Sequence, residues 1–197
     1  QTTVEYFDHR GIVTAADCFE HIVDKYASRL CIQDIQDEFV RHYTYATVNE
    51  HANRIAHWAQ TTLQLKAHDV VALYMENCAE FIMFWVAMAK LGVTVACINT
   101  YITGKHVAHA IELAQTKHVI MSSKRWSTWS ESVEHFEEKD KYLAQLNLWI
   151  FDRSVTQEES TVLSNSAHEL HSSSGPSRVP VSSVQILSLR RNGHEEQ

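Results

Sequence analysis

The chain has 197 residues, of which 45% are hydrophobic, enough to bury the core of one domain of ordinary size. Its net charge of −7, with no basic cluster larger than Lys124-Arg125, argues against a nucleic-acid-binding protein. No CxxC pair occurs, so we expect an intracellular protein with buried thiols, no zinc site and no disulfide-linked partner. Residues 1–10 are mixed polar, so we do not expect them to be a signal peptide.

The first predicted elements are a helix and a β-hairpin. The helix begins at Thr14 or Ala15 and carries its apolar residues on one side, at Phe19, Ile22, Val23 and Tyr26. Two short strands follow at residues 30–35 and 39–45, and the polar residues 36–38 suit the turn of a hairpin between them.

A second amphipathic helix is predicted at residues 44–63. Thr47 and Glu50 have the spacing of a capping box. The helical period also marks a buried stripe at Val48, Ala52, Ile55, Ala56 and Ala59.

Residues 69–99 have the pattern of a βαβ unit. A short apolar run at residues 70–75 predicts a buried strand. Asn77 and Glu80 suit the N-cap and N3 positions of a helix, residues 81–89 are all apolar, and Gly92 can end the helix. Residues 93–98 then predict a second strand, parallel to the first.

A membrane-spanning helix is the alternative interpretation of residues 81–98. This stretch has a single charge and reaches the lower length limit for a membrane span. However, Lys90 lies at its middle, where the insertion cost is about 2.5–3.5 kcal/mol. Gly92 and the β-branched residues after it also weaken a continuous helix. The pattern favours the βαβ unit.

The remaining elements extend the alternation of helix and strand. We expect a helix at residues 103–115, a strand at 118–122, a helix to about Leu146 opened by Thr128 and Glu131, and a strand at 148–151. The fold class is therefore α/β with a parallel sheet. We assign residues 1–153 to this domain. Residues 154–197 are predicted to be a weak helix at 156–170 and a Ser-rich, disordered tail.

The sequence lacks the motifs of common phosphate and catalytic sites. Its five glycines form neither GxGxxG nor a P-loop, and Gly104-Lys105 is interpreted as an ordinary helix start. His106 and His109 share a helix face and His118 begins the next strand, but no HExxH accompanies them, so we interpret them as solvated. No GxSxG elbow occurs. We assign no catalytic, cofactor-binding or metal-ligating residue.

Several short motifs between about Cys18 and Ser122 carry a family likeness. They are Tyr43-Thr44-Tyr45, Asn49-Glu50, Ala52-Asn53-Arg54-Ile55-Ala56, residues 69–73 (DVVAL), Met75-Glu76-Asn77, Glu80-Phe81, Phe84-Trp85, Ala89-Lys90-Leu91-Gly92-Val93 and Ile98-Asn99-Thr100. In this order they resemble the N-terminal domain of the fatty acid transport proteins, the very-long-chain acyl-CoA synthetase branch of the adenylate-forming enzymes.

This resemblance implies an N-terminal fragment of a long-chain fatty acid–CoA ligase. The parent protein would activate a fatty acid with ATP and Mg²⁺, transfer the acyl group to CoA and support fatty acid transport at a membrane of the endoplasmic reticulum, peroxisome or cell surface. The family's Thr/Ser/Gly-rich ATP loop and its later Asp and Lys motifs do not occur in the chain. We therefore expect the chain alone to be inactive.

The chain also departs from the family pattern. Tyr101 and Thr103 stand where family members usually have Asn and Arg, and the likeness ends after Ser122. The alternative to a ligase fragment is a non-catalytic interaction or lipid-binding module derived from the same fold.

Overall fold

The structure is a computed structural model that describes residues 11, 14–36, 39–137, 142–152 and 183–187. It divides into two compact units. One comprises residues 1–69 and 77–95, and the other residues 70–76 and 96–197. The predicted helix at 156–170 lies outside the described residues.

The described residues of the first unit form three helices and a hairpin. Helix α1 (Ala15–Tyr26) begins with a capping box between Thr14 and Asp17. Strands β1 (Leu30–Gln36) and β2 (Phe39–Thr44) pair antiparallel, as predicted for the hairpin. Helix α2 spans Tyr45–Thr61 and helix α3 spans Ala79–Leu91; these two helices pack against each other.

Periodicity located the buried stripe of α2 correctly but missed its cap. All five residues predicted for the stripe are buried. The N-cap is Thr44, whose hydroxyl accepts from the Thr47 backbone N–H at 3.2 Å, and the Thr47 and Glu50 capping box was wrong. Thr44 ends β2 in an extended conformation, so one residue closes the strand and opens the helix.

Helix α3 begins one residue later than predicted and ends as predicted. Its N-cap is Cys78, without a side-chain cap, so the assignment of Asn77 was wrong. Gly92 adopts φ 68° at the C-cap, and its N–H donates to carbonyls of the last helical turn. Ile82 and Trp85 remain 40% and 41% exposed, so the apolar helix is not covered on every side by the described residues. No helix among the described residues has both the length and the hydropathy needed to cross a membrane.

A five-stranded sheet lies mainly in the second unit, and its strand at residues 94–97 spans the boundary between the two units. Its strands are β3 (Val70–Tyr74), β4 (Thr94–Cys97), β5 (His118–Ser122), β6 (Asn147–Phe151) and β7 (Ser183–Leu187), in the spatial order β4-β3-β5-β6-β7. β3, β5, β6 and β7 are parallel. The N–H groups of Thr94 and Ile98 donate to the carbonyls of Asp69 and Leu73, so β4 also runs parallel to β3.

Helices on the sheet cover an apolar core. Helix α4 (Lys105–Ala114) and helix α5 (Trp126–Ser132) contribute Val107, Ile111 and Trp129, which lie in one cluster with Tyr74 and Leu148. The predicted capping box of Thr128 and Glu131 was wrong. The chain instead enters α5 through a 3₁₀ turn at Ser123–Arg125, and Thr128 lies inside the helix.

β7 lies within the segment predicted to be a Ser-rich tail. Ser183–Leu187 pairs in parallel with β6. Val184 and Ile186 alternate with polar residues there, and this short period is hidden by the serine content around it.

Candidate functional site

The carboxyl ends of β3 and β5 lie side by side at one edge of the sheet. The chain leaves β3 for β4 on one side and later adds β5 on the other side, so the strand order reverses between them. Open α/β sheets bind ligands outside the carboxyl ends of their strands at such a switch point. The polar side chains at this edge are therefore the strongest candidate site.

Glu76 is the central carboxylate of this edge. Ser122 Oγ, at the end of β5, donates to Glu76 Oε2 at 2.6 Å. Arg125 Nε lies 2.5 Å from Glu76 Oε1 as an ion pair, although the N–H is not aligned for a hydrogen bond. Burial by itself would raise the pKa of Glu76, but hydrogen bonds from Ser122 and the backbone and the charge of Arg125 outweigh it and lower that pKa.

Arg125 also contacts the chain that follows β4. Its Nη1 donates to the Thr100 carbonyl at 3.2 Å. Through Glu76, Thr100 and Ser122, the ends of β3, β4 and β5 thus meet around one guanidinium group. We call Glu76, Thr100, Ser122 and Arg125 the edge cluster. The Arg125 and Glu76 side chains are 24% and 30% exposed, although the paired Nε and Oε1 atoms are themselves buried.

Tyr74 lies on β3 just before the edge cluster. Its side chain is fully buried, and burial raises the pKa of its hydroxyl. Arg125 and Thr128 are near enough to lower that pKa in part, but neither makes a hydrogen bond of normal geometry with the hydroxyl. The phenol therefore stays protonated at neutral pH.

The edge cluster has the chemistry of a structural tie. Glu76 is held as a carboxylate by a cation and a hydroxyl donor, so it is a poor base near neutral pH. Ser122 Oγ donates to that carboxylate, and no described contact joins it to a histidine that could activate it. The arrangement can fix loops and orient a ligand, but it does not form a nucleophile.

The histidines noted in the sequence are not gathered into a site. His106 and His109 are exposed on α4, while His118 is half-buried at the start of β5. Within the described ranges, no group of three or more His, Cys, Asp or Glu residues could hold a metal ion. Gly104 is the N-cap of α4 with φ 50°, and the imidazole of His135 lies 3.5 Å from where a Cβ would stand.

The described residues do not fit the ATP and Mg²⁺ that the resemblance implies for a longer protein. The sequence has no glycine-rich loop to cradle phosphates, and the one strong carboxylate of the edge is already neutralised by Arg125. No catalytic step is therefore derived through these groups.

Sequence analysis did not identify the edge cluster. Glu76 and Thr100 appeared only within the motifs of the family resemblance, and Ser122 only as the last residue of a predicted strand. Arg125 was considered only as part of a basic pair. The rule that ligands bind at carboxyl strand ends could have singled out Glu76 and Ser122 once the strand order was known.

Three comparisons relate the chain to known proteins. The profile of the family described as AMP-binding enzyme matches residues 19–186. Crotonobetaine/carnitine–CoA ligases of Salmonella paratyphi A and Salmonella typhimurium are 33% identical over 92 residues, which are 47% of this chain and 18% of theirs. The chain thus spans less than a fifth of the length of these relatives.

Solved structures of ligases share the fold. The anthranilate CoA ligase AuaEII with anthranoyl-AMP matches with a TM-score of 0.60 at 18% identity, over 71% of this chain and 25% of its own. Coronafacic acid ligase of Pectobacterium brasiliense, in its R395G form, matches with a TM-score of 0.59 at 17% identity, over 75% of this chain and 27% of its own.

Proposed function

The chain belongs to the AMP-binding enzyme family, and we therefore propose that it is the scaffold part of an acid–CoA ligase. In the proposed reaction, a carboxylate attacks ATP to form an acyl-adenylate and pyrophosphate. The CoA thiol then displaces AMP to give the thioester. The observation that carries the proposal is the family match over most of the chain, together with relatives that are named as CoA ligases.

The role of a scaffold is supported by the chemistry of the edge cluster. Glu76 and Arg125 neutralise each other, and Ser122 donates to the same carboxylate. The sequence offers no phosphate-binding loop elsewhere. We therefore propose that the chain by itself does not turn over substrate.

For the substrate we propose a long-chain or very-long-chain fatty acid. The support is the resemblance of Met75-Glu76-Asn77 and residues 89–93 to the fatty acid transport proteins. The names of the relatives point to other acids, crotonobetaine and carnitine. Membrane association and a role in fatty acid transport are part of the same proposal and have the same support.

The first test is an assay of AMP release by the purified 197-residue chain. ATP, Mg²⁺ and CoA would be supplied with oleate, crotonobetaine or anthranilate, and a Salmonella crotonobetaine/carnitine–CoA ligase would serve as the positive control. We expect no AMP above the blank without protein. Turnover with any of the acids would overturn the scaffold role.

The second test asks which acid the segment serves. In a chimera, the 92 residues of the Salmonella ligase that match this chain would be replaced by the aligned residues of this chain. If the segment is only scaffold, the chimera keeps the acid preference of the Salmonella ligase with a kcat/KM within about tenfold. A shift of preference toward oleate would show that the segment contributes to substrate choice and would contradict a pure scaffold.

A non-catalytic interaction or lipid-binding module is the second candidate function. The observation that favours it is an exposed apolar pair on the hairpin, Ile35 and Val40, which face each other across the strands and are 69% and 51% exposed. Co-sedimentation of the chain with neutral and anionic lipid vesicles tests it. Binding that Ile35→Ser abolishes would support this function, and the absence of binding would reject a lipid-binding role.

A further inference from the structure

We propose that Arg125 is a positioning residue, which holds the loop of residues 99–101 in place at the switch-point edge. The inference goes beyond the proposed function, because it concerns how the loop that follows β4 is held at the carboxyl edge of the sheet.

The loop has little apolar anchorage of its own. Asn99 is exposed and Tyr101 is 94% exposed, and only the flanking residues Ile98 and Ile102 pack on the core. Within the loop, the Tyr101 N–H donates to Asn99 Oδ1 at 2.9 Å, a local bond that shapes the turn without attaching it to the sheet.

Arg125 supplies the attachment. Arg125 Nη1 donates to the Thr100 carbonyl, and this hydrogen bond joins the loop to the segment that follows β5. The guanidinium is itself fixed by the 2.5 Å ion pair with Glu76, and Ser122 fixes Glu76 from the other side. Thr100 is therefore linked, through Arg125 and Glu76, to the ends of β3 and β5.

Contact with both Glu76 and Thr100 requires a guanidinium group. Arg presents several N–H donors in a rigid planar fork, so one group can contact Glu76 and donate to Thr100 at the same time. A lysine ammonium could keep the ion pair, but its single nitrogen is not built for both partners. Arg125→Lys should therefore remove the bond to Thr100 while it keeps the ion pair with Glu76.

The test is hydrogen–deuterium exchange of the full chain, read by peptides that cover residues 99–103 and, as an internal reference, residues 118–122 and 147–151. The amide to follow is that of Tyr101, whose N–H donates to Asn99 Oδ1 and is protected while the turn keeps its shape. We expect Arg125→Lys and Arg125→Met each to speed exchange of this amide about five- to tenfold, because the loop opens more often once the Thr100 carbonyl is released. Exchange in the reference strands should stay within about twofold for Arg125→Lys. Lys90→Met, which removes the ion pair of Lys90 with Glu20, is the matched control and should leave residues 99–103 unchanged.

Two results would overturn the proposal. One is unchanged exchange of the Tyr101 amide in Arg125→Lys. The other is an equal increase in the loop and in the reference strands, which would assign Arg125 to general stability. If Arg125→Met does not fold, Arg125→Lys and Glu76→Gln still test the proposal. Glu76→Gln removes the ion pair but leaves the bond from Arg125 to Thr100, so it should speed exchange in the loop less than Arg125→Lys does. The measurement needs no turnover, so its failure is distinct from that of the proposed function.

Discussion

The five-stranded sheet and the hairpin are both β-structure, yet they differ in how far their apolar side chains are exposed. In β5, Val119, Ile120 and Met121 are all fully buried. In the hairpin, Ile35 and Val40 face each other across the strands and remain largely exposed. A strand that is covered on both faces contributes to stability, whereas an uncovered apolar pair contributes little until something packs on it.

A matched pair of substitutions tests this contrast most strongly. Ile120→Ala removes a fully buried side chain and should lower the free energy of unfolding by about 2–5 kcal/mol. Ile35→Ala, the same change on the hairpin, should shift it by no more than about 0.5 kcal/mol. Urea denaturation of both variants measures the difference. Equal losses would show that the outer face of the hairpin is covered in solution.

Gly92 gives the next largest expected effect. Its φ of 68° is unfavourable for a side chain, and an added Cβ would lie 3.2 Å from the Ala67 Cβ. Gly92→Ala should therefore destabilise the unit that contains the hairpin by about 1–2 kcal/mol. Gly92→Asn should cost less, because Asn tolerates the left-handed region. Should both variants melt like the parent chain, the turn after α3 would not need a glycine.

The capping box of α1 provides a further test of the unit that contains the hairpin. Thr14 Oγ1 accepts from the Asp17 N–H at 3.1 Å, and Asp17 Oδ2 accepts from the Thr14 N–H at 2.9 Å. Thr14→Ala should cost about 1 kcal/mol, and Thr14→Ser should restore most of it. Circular dichroism during thermal unfolding provides the measurement. A Ser variant as unstable as the Ala variant would mean that the hydroxyl does not act as the cap.

The smallest effect concerns pH at the edge of the sheet. Because the folded-state pKa of Glu76 is lowered from 4.5, its ionisation stabilises the fold above that value and this contribution is lost as the pH falls below it. Glu76→Gln should remove up to about 1 kcal/mol of stability at pH 7, as expected of a partly exposed ion pair. Stability curves from pH 6 to pH 3 should be steeper for the parent chain than for the variant. Parallel curves would contradict the assignment.

Local patterns predicted the elements better than the contacts between them. The α2 stripe followed from helical period alone, since the same face stays buried along the whole helix. The start of α3 was misplaced because Asn77 is a good cap residue, but in the fold Cys78 occupies that position. The resemblance identified the superfamily from the motifs of the βαβ unit, and the family match agrees with it.

The edge cluster was beyond prediction from the sequence for a physical reason. Glu76 and Arg125 are far apart along the chain and meet only because β3 and β5 pair. Neither residue belongs to a local motif that predicts this contact, and the strand order that brings them together depends on long-range pairing.

The position of β3 between β4 and β5 also has a consequence for synthesis on the ribosome. Val71 pairs with His118, so β3 is made long before its second neighbour exists. At about 5–20 residues per second, the nascent chain carries that strand edge unpaired for several seconds. During this interval the apolar edge is a template for wrong partners. A chaperone that covers this edge during synthesis would then raise the yield of folded protein without changing the final stability of the sheet.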